Sequence, residues 1–411
     1  MEVEEKKQVD EENITMEGLD NTVISQLQNL ISREGDIVSR RSKGIGTYLA
    51  KIGFKFHLLN QKRQDYFLRK PLLGYSIKRL IFAMITFYLA IAIVYIMISS
   101  VVSNSTIMQN VDLKEYSQEG GVGGPKYMEI LNGKKNAMGL DLPLFQQVLN
   151  WWLNISFIIP FSYVNGHYVH QWFYLGTVLS TNISTEGSSV WDTLRESMPI
   201  SFKIGFLGFL SAFTIGIPLG ILCARYKNKS PDKVINTISI FLQSVPAIIV
   251  VSIVFVLAVS EWNASATYET GGFSTKIYAF ITMFILVLPQ IVIDVRRYVV
   301  DEMTAEYTNF AKSKGLGSGY IFVVHVFRVA GVRVLRIVPT ALILSLFGSS
   351  ILTETYWNVH GMSRLILLGV TYRDLYICLG YITISAIFGI ITSLFADLLT
   401  AWLDPRVSLI K

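Results

Sequence analysis

The chain has 411 residues, of which 51% are hydrophobic and only 16% are charged, with a net charge of +6. Soluble domains carry about 25% charged residues, so this composition excludes an ordinary soluble domain and favours a protein of the lipid bilayer. The two cysteines, Cys223 and Cys378, lie far apart in apolar runs, which excludes a disulfide framework.

The first 79 residues precede the first long apolar run. Residues 1–46 begin with a polar, acidic stretch without the apolar core of a signal peptide, and we expect them to form a mobile cytoplasmic tail. Residues 47–79 mix Lys and Arg with Phe, Tyr and Leu, which is typical of a basic amphipathic helix in the lipid headgroup region. A nucleic-acid patch is the alternative, but a membrane span follows at once, so we expect no nucleic acid partner.

Six apolar runs predict six transmembrane helices, because about 20 apolar residues cross the hydrocarbon core. The runs are residues 80–102, 204–224, 234–260, 277–293, 334–352 and 375–396. We therefore predict an all-α polytopic membrane protein. The glycines and prolines inside these runs are expected to let neighbouring helices pack closely.

The Lys and Arg residues of the short connections predict the orientation. Residues 225–233 contain four cations and residues 294–336 contain seven, whereas residues 261–274 contain none. The two cation-rich connections and both termini are therefore predicted to be cytoplasmic.

The segment after the first span, residues 103–198, is predicted to be extracytoplasmic and carries more acid than base. Its run WWLNISFIIPF, which starts at Trp151, is too short to cross the membrane. The run is either the apolar core of a small external domain or an interfacial anchor. The remaining residues, 199–411, are predicted to be a five-helix core with a cytoplasmic loop at 294–336.

No stretch of the sequence predicts an enzyme. The pattern GxxxxGK[ST] is absent, so we expect the chain to hold no nucleotide phosphates itself. The five histidines show no metal-ligand spacing, and we expect no metal site and no catalytic residue. No charged residue lies near the centre of a predicted span, which argues against ion-coupled transport.

Between the fourth and fifth predicted spans, the sequence predicts a helix, a glycine stop and a second helix. The acids that open DEMTAEYTNF, residues 301–310, suit a first helical turn, and Lys312 and Lys314 suit its end. Gly315 then ends the helix, because glycine adopts positive φ freely. At a cytoplasmic face this element is either a rigid knob for a partner protein or an ordinary amphipathic loop.

The loop EYTNFAKSKGLGSGYIFVVHVFRVA resembles the EAA loop in the membrane subunits of binding-protein-dependent ABC importers. It most resembles the oligopeptide and dipeptide permeases. The matching residues are Glu306, Tyr307, Ala311, Lys314, Gly315, Leu316, His325 and Arg328. Asn309 and Phe310 replace the Glu and first Ala of the generic motif. Residues 242–250, 352–374 and 397–407 also resemble this family, and residues 139–147 and 174–180 resemble its OppB/DppB half.

The resemblance implies the type I ABC importer permease fold, here with an enlarged extracytoplasmic segment after the first helix. It implies the permease subunit of an ATP-driven oligopeptide or dipeptide importer in the plasma membrane of a prokaryote. The implied partners are a second permease of the OppC/DppC type, two cytoplasmic ATPases that hold ATP and Mg, and an extracellular or periplasmic peptide-binding protein. The chain itself is expected to bind no cofactor.

The resemblance also implies roles for two sets of residues. The loop is expected to couple the permease to an ATPase through Glu306, Tyr307, Phe310, Ala311, Lys312, Lys314, Gly315 and Leu316. The translocation path is expected to run past Gln243, Ser244, Pro246 and Ser345. Polar groups in a span are costly unless they face a wet cavity or another helix, so hydrogen bonding between helices is the alternative for these four.

Three other functions stay open at this point. The first is a nickel or glutathione importer of the same family, since the loop motif does not read the substrate. The second is an ion-coupled peptide carrier that works alone, and the third is a membrane scaffold without a transport role.

Overall fold

The computed structural model of the chain describes residues 71–108 and 123–403. The predicted tail 1–46, most of the predicted interfacial segment 47–79 and the end of the 397–407 stretch lie outside these residues. Residues 75–411 group into one compact unit.

The described residues are mostly helical. The elements in the first half are α1 Pro71–Val101, α2 Asn104–Ile107, α3 Pro125–Met138, α4 Leu144–Asn154, β1 Ser162–Val164, β2 His167–Val169 and α5 Val190–Arg225. The elements in the second half are α6 Ser230–Ser244, α7 Ala247–Ser260, α8 Phe273–Met303, α9 Glu306–Ser313, α10 Ser318–Tyr320, a π-helical segment Ile321–Phe327, α11 Arg328–Ile343, a second π-helical segment Leu344–Ser349, α12 Ser350–Tyr356, α13 Met362–Thr371 and α14 Leu375–Leu403. The two short strands form one antiparallel hairpin in which Tyr163 lies opposite Tyr168.

Four helices of the described chain are long and apolar enough to cross a membrane, and the pair α6–α7 makes a fifth if it is one bent span. The four are Ser76–Val101, Val190–Arg225, Phe273–Met303 and Leu375–Leu399. The prediction of an all-α polytopic membrane protein is confirmed. The predicted fifth span, 334–352, is divided between α11, a π-helical segment and α12, so the count of six crossings stays a prediction.

The predicted third span, 234–260, is not one straight helix. The run breaks between α6 and α7, where the helix direction bends by 102°. Pro246 has no backbone N–H, and a residue before proline is disfavoured in the α region, so Val245 is extended with φ −76° and ψ 131°. The break therefore follows from local chemistry that an apolar run alone does not reveal.

Helix α8 is longer than the predicted span 277–293. It continues to Met303, and so Asp301 and Glu302 lie in its last turn rather than in the first turn of the following helix. The prediction for these two acids was wrong. An ion pair anchors the extension, because Arg296 donates from Nε and Nη2 to the two carboxylate oxygens of Asp232 at 2.6 and 2.8 Å.

Helices α5 and α8 pack with almost no side-chain layer between them. A Cβ atom added at Gly208 would lie 2.6 Å from the Cβ of Met283, and one added at Gly220 would lie 2.7 Å from the Cβ of Val295. Contacts this short are not tolerated, so glycine is required at both positions. These contacts lie on either side of Pro289 in α8.

The predicted extracytoplasmic segment is tied to the last membrane helix by one buried carboxylate. Asp374 is fully buried and accepts hydrogen bonds from the N–H groups of Leu179 at 2.7 Å and Ser180 at 3.0 Å. It also accepts from the N–H of Ile377 at 3.1 Å, in the first turn of α14. The carboxylate thus satisfies orphan donors of the helix and of the segment together.

The run WWLNISFIIPF divides into two parts with different surroundings. Trp151 is 2% exposed and Ile155 is 0% exposed, so the first part is buried inside the chain. Phe157 and Ile158, in the second part, are 52% and 78% exposed.

A second buried carboxyl lies beyond the end of the predicted fifth span. Glu354 is 0% exposed, and its Oε2 accepts from the N–H of Arg364 at 2.8 Å. Its Oε1 has no hydrogen-bond partner among the described residues. Burial raises the pKa of this carboxyl from its ordinary 4.5 to about 7, so the neutral acid is the favoured form below neutral pH.

We expect the stability of the folded chain to decrease as the pH rises from about 4.5 to 7. The folded state holds the Glu354 proton more tightly than the unfolded chain, so the free energy of unfolding falls between the unfolded pKa of 4.5 and the folded pKa of about 7, and this contribution is level above pH 7. Glu354→Gln is uncharged at every pH and should flatten this part of the profile in melting temperatures measured at pH 5, 6, 7 and 8. A decline that is as steep in Glu354→Gln as in the wild type would contradict this assignment.

Candidate functional site

The helix α9, called the loop helix below, forms because its charges suit its ends. Glu306 lies in its first turn and Lys312 in its last turn, where each sign of charge is favoured by the helix dipole. Ala305, with φ −66° and ψ 149°, separates the loop helix from the end of α8. The loop helix is thus a short independent element attached directly to a long membrane helix.

The loop helix ends as the sequence predicts. Gly315 has φ +77°, its N–H donates to the carbonyl of Lys312 at 2.9 Å, and the N–H of Leu316 donates to the carbonyl of Ala311 at 3.4 Å. This pair of bonds is the Schellman motif, which needs a left-handed residue at the glycine position. The glycine stop is confirmed.

Glu302 joins three elements at one carboxylate. The residue is 4% exposed and lies at the end of α8. It accepts a hydrogen bond from the Tyr307 hydroxyl of the loop helix and pairs with Arg333 of α11, whose Nη2 lies 2.9 Å from Oε1. Its main-chain carbonyl also accepts from Thr308 Oγ1 at 2.8 Å. The loop helix, α8 and α11 are therefore connected through the same residue.

The Tyr307 hydroxyl stays protonated in this arrangement. Burial and, after it, the hydrogen bond to the Glu302 carboxylate together raise its pKa to about 12. Because the hydroxyl keeps its proton, it donates to Glu302 throughout the physiological pH range.

The loop helix has one face inside the protein and one face outside. Thr308 is 1% exposed and Ala311 is 5% exposed, and Ala311 belongs to the same apolar cluster as Ile321 and Val299. The outer face carries exposed Tyr307, Phe310, Lys312, Lys314 and Leu316. Phe310 is 62% exposed, and the ammonium of Lys314 lies 4.5 Å from the centre of its ring, a cation–π contact.

Ala311, the small residue of the motif, packs toward the inside of this chain. Its small size is therefore required by the chain's own core. The residues available to a partner protein are those of the outer face, and Phe310 is the most exposed of its apolar side chains. Their role in coupling stays a prediction.

The predicted path residues separate into two groups. Gln243, Ser244 and Pro246 are exposed and lie together at the break between α6 and α7. Ser345 is 0% exposed and donates to the carbonyl of Leu342 at 2.7 Å, so it is a helix-bonded core residue in this chain.

A chain of polar contacts leads away from the break. Gln243 donates to Gln290 of α8, and Gln290 donates to Asp294 Oδ2 at 2.6 Å. Asp294 is 6% exposed and also accepts from Arg297 Nη2 at 2.8 Å. An open cleft of about 590 Å³ is lined by Gln290, Asp294, Arg297, Tyr298, Arg333, Arg336, Ile337 and Thr340. The cleft and the Glu302 carboxylate thus share Arg333.

Glu302, Gln290 and Asp294 were not predicted from the sequence as members of a site. A signal for the last two was present, because Gln290, Asp294 and Arg297 recur at helical spacing and so lie on one face of α8. Glu302 gave no such signal, since its partners come from other elements.

Comparison with known proteins finds a similarity to a transport family over part of the chain. Residues 216–409 match the family described as binding-protein-dependent transport system inner membrane component. The match contains the broken span, the long helix α8, the loop helix and the last membrane helix.

The identity to individual similar proteins is low, between 24% and 28%. The chain is 28% identical over 239 residues to the peptidoglycan transport system permease protein YejB of Agrobacterium fabrum, which covers 54% of this chain and 65% of YejB. It is 24% identical over 336 residues to the dipeptide transport system permease protein DppB of Lactococcus lactis, which covers 82% of this chain and 99% of DppB. It is 26% identical over 281 residues to the nickel import system permease protein NikB of Staphylococcus aureus, 68% of this chain and 77% of NikB. The chain thus matches less than two thirds of YejB's own length.

Proposed function

We propose that this chain is an ABC importer permease that imports peptides by coupling its membrane helices to ATPases at the loop helix. The match of residues 216–409 to the binding-protein-dependent inner membrane components supports this proposal. The observation that carries the coupling role is the Glu302 carboxylate, which joins the loop helix to α8 and α11. The exposed Phe310 then supplies the contact with an ATPase. The chain provides no covalent chemistry and transmits motion between two states of the membrane helices.

The proposed assembly contains a second permease of similar fold, two ATPases that hold ATP and Mg, and a peptide-binding protein on the opposite side. In this assembly the chain is a multi-pass protein of the cell membrane with both termini and the loop helix on the cytoplasmic side. The cation-rich connections 225–233 and 294–336 support this orientation.

The polar chain from Gln243 to Arg297 supports a peptide as the transported solute. Side-chain amides both donate and accept hydrogen bonds, which matches the alternating donors and acceptors of a peptide backbone. Gln243 and Gln290 present such amides at the break between α6 and α7, and the cleft continues toward Arg333 and Arg336. Among the relatives, DppB is named for dipeptide transport.

Nickel is the second candidate solute, because NikB is also among the similar proteins. The two solutes call for different polar partners, since nickel prefers imidazole and thiolate ligands whereas a peptide prefers amides and hydroxyls.

The test is uptake by the reconstituted complex together with the identity of the copurifying proteins. We expect a pull-down in mild detergent to recover two ATPases and a second permease. Proteoliposomes of that complex should accumulate a labelled oligopeptide only when ATP and the binding protein are both present. Accumulation of radioactive nickel but not of peptide would establish the second candidate, and uptake by this chain alone would overturn the coupling role.

A further inference from the structure

The stretch between Asp141 and Glu186 has a composition unlike that of a water-exposed domain. It contains no Asp, Glu, Lys or Arg, and it includes α4, the β1–β2 hairpin and many Phe, Tyr and Trp residues. A soluble segment of this length carries charges at about a quarter of its positions. Trp and Tyr are enriched where a membrane meets water, so this composition points to lipid.

Helix α4 contacts the first membrane helix far below that helix's outer end. The indole N–H of Trp152 donates to the main-chain carbonyl of Tyr88 at 3.0 Å, and the two rings lie 5.7 Å apart. Tyr88 lies midway along the apolar span Ser76–Val101. At about 1.5 Å per residue, Tyr88 is about 20 Å from Val101 along the helix.

Charged and polar residues locate the bilayer along the same helix. Arg79 pairs with Asp397 of α14 near the opposite end of the span. A hydrocarbon core of about 30 Å corresponds to about 20 helical residues, which brings its other boundary to Ser99 and Ser100. Tyr88 therefore lies inside the hydrocarbon core, and the side chain of Trp152 reaches to the same depth.

The turn that follows α4 exposes apolar side chains, and two of its backbone N–H groups are hydrogen-bonded within the turn. Phe157, Ile158, Ile159 and Phe161 are 52%, 78%, 43% and 47% exposed. The Ser156 hydroxyl accepts from the N–H groups of Ile158 at 3.2 Å and Ile159 at 3.1 Å, and Pro160 has no N–H. Irregular backbone is excluded from lipid when its donors are unpaired, and here the turn satisfies these donors itself.

We propose that residues 142–161 are inserted into the membrane leaflet on their side, with the side chains of residues 157–161 among the acyl chains. This lipid-contacting surface, the 142–161 wedge, contacts α1 through Trp152 and Tyr88, and the residue after Tyr88, Leu89, is 60% exposed. The predicted extracytoplasmic segment is thus partly a membrane element, and the partner of its apolar turn is lipid.

A spin label at Ile158→Cys tests the wedge in the full chain, reconstituted in liposomes with Cys223 and Cys378 replaced by Ala. Glu186→Cys is the matched control, because Glu186 bounds the uncharged stretch and its side chain is 42% exposed. Collisions are measured with oxygen, which concentrates in acyl chains, and with a water-soluble nickel chelate. We expect the ratio of oxygen to chelate collisions to be several-fold higher at Ile158→Cys than at Glu186→Cys.

Two results overturn the proposal. Equal chelate access at both positions shows that the turn lies in water, and exclusion of both reagents at Ile158→Cys shows that a protein covers it. Ile159→Cys repeats the measurement, so that a labelling defect at one position does not decide the outcome.

Discussion

Glu302→Ala is expected to lower ATP-driven uptake at least about tenfold while the protein still reaches the membrane. The substitution leaves the Tyr307 hydroxyl and the Arg333 guanidinium without their shared acceptor. Such a loss costs about 1–3 kcal/mol, and 1.4 kcal/mol is a factor of ten in an equilibrium. The side chain of Arg333 is 49% exposed, so water replaces part of the interaction that it loses. Most of the lost free energy therefore concerns the attachment of the loop helix through Tyr307. Uptake and ATP hydrolysis are measured in parallel in proteoliposomes of the complete complex.

Asp301→Asn is the matched control for this experiment. Asp301 is adjacent to Glu302, but its side chain is 55% exposed and its Oδ2 lies 3.9 Å from Arg333. An exposed contact of this kind contributes little, so uptake should stay within about twofold of the wild type. If Glu302→Ala and Asp301→Asn transport equally well, the Glu302 carboxylate does not hold the loop helix in its working position.

Gly361→Ala is expected to destabilise the folded chain by about 3 kcal/mol, at the upper end of what overpacking a core costs. A Cβ atom at this position would lie 2.3 Å from Glu354 Oε2 and 2.6 Å from Ser201 Oγ. Glu354 and Ser201 are 0% and 1% exposed, so neither side chain has open space to move into. Ser201 Oγ also accepts from the N–H of Met362 at 2.6 Å, and the clash breaks this link between α5 and α13. The measurement is the melting temperature of the purified complex.

Gly331→Ala provides the comparison, because no atom of the described residues that would crowd it lies within 4 Å of a Cβ atom at this helical position. Alanine is favoured over glycine inside a helix, so this variant should be as stable as the wild type or slightly more stable. Equal melting temperatures for Gly361→Ala and Gly331→Ala would show that α12 and α13 move apart around Glu354 at little cost in stability.

Much of the fold is predictable from the sequence because a helix that crosses the hydrocarbon core needs about 20 apolar residues. The runs at 80–102, 204–224 and 375–396 each fall within one long helix, since an apolar run of this length has no better place than the hydrocarbon core. The glycine stop at Gly315 is equally local, because it depends on one residue's backbone freedom.

The parts that were not predicted depend on partners distant in sequence. The extension of α8 past residue 293 depends on Asp232, which pairs with Arg296 from another helix. The inward face of Ala311 depends on an apolar cluster contributed by α5, α8 and α11. The loop helix was predicted as an element, but which of its faces is covered is decided by packing that periodicity over eight residues does not reveal.

The glycine contacts between α5 and α8 determine how a displacement of the loop helix travels. Because Gly208 and Gly220 seat Met283 and Val295 against bare backbone, α8 cannot turn about its own axis or slide along α5 without collision. In the proposed coupling the two helices tilt together, and 31 residues at about 1.5 Å give α8 a length of about 45 Å. A small rotation of α8 that starts at Glu302 would then displace Phe273, at the other end of the helix, by several ångströms.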